Sequence, residues 1–141
     1  MKKILIMLIV AAVVIIAANA DDDSFFAALN NCSSYSSSGT STVEGQKMSY
    51  SNKILGWSGD KCVYKETVIY PGLSSCVTCK FTKPQLKELL DVMSAYSLVQ
   101  KYSGEKVDTS SLSAVQNNAV VKVWNKYLQD SSVCTIDIDK N

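Results

Sequence analysis

Four residues, Thr82-Lys83-Pro84-Gln85, divide this chain into two kinds of sequence and constrain its fold more than any other feature. A threonine followed three residues later by glutamine is the reciprocal capping box that satisfies two otherwise orphaned N–H groups at a helix start. Phe81 and Leu86 occupy the two hydrophobic positions that staple such a start. Proline is tolerated in a first helical turn because its missing N–H has no partner to lose there. Downstream, Leu86, Leu89, Leu90, Met93, Tyr96 and Val99 recur with helical period, and Gly104 supplies a stop. A second helix is expected over 110–129, with Leu112, Val115, Ala119, Val123, Trp124, Tyr127 and Leu128 on one side. Its valines lower the intrinsic propensity.

Upstream of the capping box the pattern changes to strands. Ser58-Gly59-Asp60-Lys61 is a tight-turn signal between two β-prone runs. A two-residue turn at Gly59-Asp60 pairs Trp57 with Cys62, Leu55 with Tyr64 and Lys53 with Glu66. One face then gathers Leu55, Trp57, Cys62, Tyr64, Val68 and Tyr70, which makes it the expected core face. Ile54, Gly56, Val63, Lys65 and Thr67 fall on the other. Pro71-Gly72 marks the next reversal, and 75–81 returns as a further strand. Residues 43–50 are a weaker strand candidate, and 133–139 alternates Cys134, Ile136 and Ile138 against Thr135, Asp137 and Asp139 as an edge strand would.

At the start of this region, 21–35 places Phe25, Phe26, Leu29 and Cys32 at helical spacing. The serine-rich stretch 33–42 reads as a flexible loop, poor in the apolar residues that a core requires. The whole is an α+β domain: a small antiparallel sheet of three to five strands with helices packed on one face, stapled by disulfides. Its order, a helix followed by a meander, is similar in shape alone to the cystatin-like layout.

Residues 1–20 carry Lys2 and Lys3, an apolar run, and small residues Ala18 and Ala20 before three aspartates. This is the grammar of a signal peptide cleaved after Ala20. The mature domain is then 21–141, periplasmic or extracellular, with no stable membrane anchor after cleavage. All basic residues are lysines, a codon-level bias that favours a bacterial source. Cleavage leaves 12 lysines against 13 acids, a balance that argues against nucleic acid as a partner. The absence of histidine excludes Ser-His-Asp and Cys-His catalysis and histidine-ligated metals, and no cofactor is implied.

Five cysteines follow the leader: Cys32, Cys62, Cys76, Cys79 and Cys134. Outside the cytoplasm two disulfides and one remaining thiol are expected. Cys76 and Cys79, three apart on a strand, lie about 10 Å apart, beyond the roughly 7 Å that a disulfide spans between α-carbons, so each must pair elsewhere if at all. Cys32 and Cys62 both lie on core-facing sides and are the favoured pair. The sharper alternative is a redox-active Cys76-Val77-Thr78-Cys79 motif, but the helix start at Thr82 lies too far on to acidify Cys76. Glu66 is a misfit on an aromatic face; cross-strand Lys53 or a bulge is the plain explanation. A ligand-facing acid in a hollow lined by Trp57, Tyr64 and Tyr70 is the functional one. The leading expectation is a non-catalytic domain that binds a protein, peptide or envelope component, with a thiol-disulfide oxidoreductase using Cys76 and Cys79 as the alternative.

Overall fold

A computed structural model describes residues 24–43, 45–103 and 118–139. Its elements run α1 (Ser24–Asn31), β1 (Tyr35–Val43), β2 (Gln46–Ser58), β3 (Lys61–Tyr70), β4 (Leu73–Phe81), α2 (Lys83–Ser103), α3 (Ala119–Leu128) and β5 (Cys134–Asp139). The strands form one antiparallel sheet in the order β1-β2-β3-β4-β5, with every neighbour also next in sequence. The α+β class and the small antiparallel sheet are therefore as expected. The signal segment 1–20 and the first part of the expected helix 110–129 lie outside the described residues.

The capping box forms as read. Gln85 Oε1 accepts from the Thr82 N–H at 2.9 Å, and Thr82 Oγ1 accepts from the Gln85 N–H at 3.5 Å. Phe81 and Leu86 are both buried, and Leu89 and Met93 continue the stripe into the core, while Leu90 and Tyr96 are half-buried. Asn118 caps α3 by accepting from the Val120 and Val121 N–H groups at 2.9 and 3.4 Å. This cap offsets the weak propensity of a valine-rich helix. Trp124 of α3 lies between Tyr64 and Phe81, with ring centroids 5.4 and 5.6 Å away. Phe25 of α1 reaches Tyr64 from the other side at 6.5 Å. The three helices thus meet the inner face of the sheet through β3 and β4.

Three expectations require correction. The serine-rich stretch 33–42 is not a loop over most of its length: Tyr35–Val43 is β1, paired with β2 along all nine residues. An edge strand needs one hydrogen-bonded neighbour more than it needs apolar bulk, so tertiary pairing overrides composition. The inward-facing Gly39 lies under the Tyr50 ring, where an added Cβ would come within 2.8 Å of the hydroxyl. The second correction is register. Trp57 does pair with Cys62, but a bulge at Leu55 and Gly56 shifts everything before it by one residue. Ile54, not Leu55, pairs with Tyr64 and is buried, while Leu55 is 53% exposed. Gly56 has φ 103°, a backbone setting that favours glycine and lets the bulge form. The third follows from the second: Lys53 lies opposite Lys65, and Asn52 lies opposite Glu66.

Candidate functional site

The five cysteines are sorted by the alternation of the strands. Cys32 and Cys62 form a disulfide with α-carbons 5.8 Å apart, as favoured from the sequence, and Cys79 bonds Cys134, its direct cross-strand neighbour, at 4.1 Å. Cys76 is the free thiol, half-exposed on the opposite face from Cys79. The Thr67 hydroxyl donates to its sulfur at 4.0 Å. Thiol-disulfide exchange through a CxxC motif needs both sulfurs within bonding reach at a helix start. Here the pair is divided between the two faces of β4, and α2 begins only at Lys83.

On the inner face, Ser37, Asn52, Glu66, Val77 and Ile136 form one row across the sheet. Asn52 and Glu66 are fully buried. Tyr64 donates its hydroxyl hydrogen to Glu66 Oε1 at 3.0 Å. Glu66 Oε2 and both polar atoms of the Asn52 amide have no hydrogen-bond partner among the described residues. Burial pushes the Glu66 carboxyl well above the usual carboxylate range, and the Tyr64 hydrogen bond offsets only part of that. The Tyr64 phenol is pushed up as well, first by burial and then by Glu66 beside it. Removal from water disfavours the charged form of both groups.

The sequence proposed Trp57, Tyr64, Glu66 and Tyr70 as one hollow, and the structure brings only Tyr64 and Glu66 together. Trp57 sits at the hairpin end, 42% exposed, with the Lys83 ammonium 5.8 Å from its ring centre. Tyr70 is half-buried at the far end of β3, six residues and about 20 Å beyond Tyr64. Among the described residues no cluster of three cysteines or carboxylates is placed to hold a metal ion, and no helix is long and apolar enough to cross a membrane.

What the sequence reading missed is the outer face. Ser36, Ser38, Thr40, Thr42, Ser49, Ser51, Thr67, Thr78 and Thr135 alternate outward together with lysines, and most of these side chains are exposed. No described helix covers them. The signal was present as strict alternation in β3 and β4, but in β1 the serine content concealed it. Away from the sheet, an open groove of about 510 Å³ lies between α1 and α2, lined by Phe26, Ala27, Asn30, Leu90, Asp91, Ser94 and Leu98. No protein-family model matches this chain, and no curated protein and no solved structure matches it.

Proposed function

We propose that the mature chain is a non-catalytic domain, exported to the periplasm or the extracellular space, that binds a protein, peptide or envelope component. The observation that supports this reading is the outer sheet face, a broad surface of hydroxyl and ammonium groups that no described element covers. Of the groups best suited to chemistry, Cys79 is bonded to Cys134, Glu66 with Tyr64 is buried beside Phe25 and Trp124, and the free Cys76 lies on the outer face with no second free thiol among the described residues. A sheet stabilised on one side alone leaves the other free for recognition, and two disulfides suit an oxidising compartment.

The test uses the exported protein. N-terminal sequencing should begin at Asp21, purified protein should neither reduce insulin nor refold a scrambled substrate, and labelled protein should attach saturably to envelope material from the producing cells. Turnover that Cys76→Ser abolishes would overturn the reading in favour of an oxidoreductase, and an absence of saturable attachment would overturn it outright.

A further inference from the structure

The first four strands carry five lysines, Lys47, Lys53, Lys61, Lys65 and Lys80, and all five alternate onto the outer face. The one acid of those strands, Glu66, points inward. Register concentrates the charge further. Lys53 lies directly opposite Lys65, and Lys80, opposite Val63, is one diagonal step from Lys65. Like charges directly opposed on neighbouring strands are destabilising. Among the described residues neither Lys53, Lys65 nor Lys80 has an ion-pair partner; the pairs formed are Lys87 with Asp91 and Lys126 with Glu88. The outward acids, Asp137 and Asp139, stand on β5 opposite Cys76 and Ser74, away from the Lys80 end, and Asp60 lies in the hairpin turn. A face that retains unneutralised, mutually repelling cations is complementary to an anion supplied from outside.

The shape of the charge narrows the anion. Ser36, Lys53, Lys65, Thr78 and Thr135 form one continuous row across the five strands. At about 4.8 Å per strand this row is about 19 Å long. It offers hydroxyl, ammonium, ammonium, hydroxyl and hydroxyl in a straight line. A linear chain bearing both anionic groups and hydroxyls meets every member of that row. An anionic membrane is a poorer match, because the exposed apolar side chains of this face, Leu55 and Ile69, stand apart near opposite ends of the sheet and make no contiguous anchor.

We infer that the row Ser36–Lys53–Lys65–Thr78–Thr135, reinforced by Lys80, is a binding site for a linear acidic polysaccharide. This rests on the reading of the chain as a binding domain and names the class of its ligand. The test titrates heparin, a sulfated glycan, into the mature protein across a range of sodium chloride concentrations. Engagement of three lysines at about −0.7 each gives a log-log salt slope of about −2. Lys53→Gln combined with Lys65→Gln should weaken binding about tenfold or more at low salt. Both side chains are exposed, and their repulsion is relieved, so the melting temperature should hold or rise. Lys122→Gln, on the exposed side of α3, should bind as the parent does. No heparin binding at low salt, or equal binding by the double variant, overturns the inference. So does tighter binding to poly-glutamate, to oligothymidylate or to phosphatidylglycerol vesicles. Saturable envelope attachment that persists in the double variant would overturn the glycan site while leaving the binding-domain reading intact; loss of attachment in every form of the protein would remove both.

Discussion

Replacing Glu66 with glutamine should stabilise this protein at neutral pH and remove one part of its pH dependence. The carboxyl is fully buried, receives one hydrogen bond from Tyr64 and has no partner for Oε2 among the described residues. Lysine was the expected counter-charge, but the bulge at Leu55 places Asn52 opposite it instead. The folded protein therefore favours the protonated acid, its pKa raised by burial, while in the unfolded chain the group titrates near its ordinary 4.5. Between those two values the folded state binds one more proton than the unfolded state. Stability is complete below about 4.5 and falls as pH rises, until the folded group itself ionises and the curve levels. The slope in that window is at most about 1.4 kcal/mol per pH unit, the linkage value for one proton. Glutamine keeps an oxygen acceptor for Tyr64 and has no proton to lose. The gap in unfolding free energy between variant and parent should thus open above pH 4.5 and widen until the folded carboxyl itself ionises. Urea unfolding at half-unit steps from pH 4 to 8 measures it. Taking the difference between the two proteins cancels Glu88 and Asp130, whose depressed pKa values give the opposite trend, stability lost as pH falls. A flat difference curve would refute the reasoning, because it requires a carboxyl that titrates alike in the folded and the unfolded chain.

The remaining predictions concern stability. Leu89→Ala, at a fully buried position, should cost about 2 to 5 kcal/mol, and Thr82→Ala about 0.5 to 2 kcal/mol; denaturant midpoints should rank them in that order. Asn118→Ala removes the acceptor for two N–H groups at the start of α3 and should cost about 0.5 to 2 kcal/mol by the same assay. The Cys79–Cys134 bridge closes a longer loop than Cys32–Cys62, 55 residues against 30. Chain entropy then assigns losses of about 4.2 and 3.6 kcal/mol to the respective paired serine variants. Mass mapping without reduction should recover both bridged peptide pairs and a free Cys76.

Where sequence and structure agree, the deciding interactions are local. The capping box at Thr82 and Gln85, the staple of Phe81 and Leu86, and the turn at Gly59-Asp60 each join residues a few positions apart, so their chemistry could be read directly. Strand alternation likewise separated Cys76 from Cys79 and directed Cys62 toward the core, where Cys32 meets it. What only the tertiary structure decided depends on distant neighbours. Ile54 and Leu55 are equally suited to a core, and the packing that buries one of them chooses the register; a shift of one residue reverses every face before it. That shift replaced Lys53 with Asn52 beside Glu66 and set Lys53 against Lys65 on the opposite surface. The serine-rich β1 has little intrinsic reason to be extended, and becomes a strand because β2 offers it an unpaired edge. The sequence by itself determined the start of α2, the hairpin between β2 and β3, and the buried side of β3. The contacts between strands far apart in the chain decided which charges are sealed inside and which are gathered on the open face.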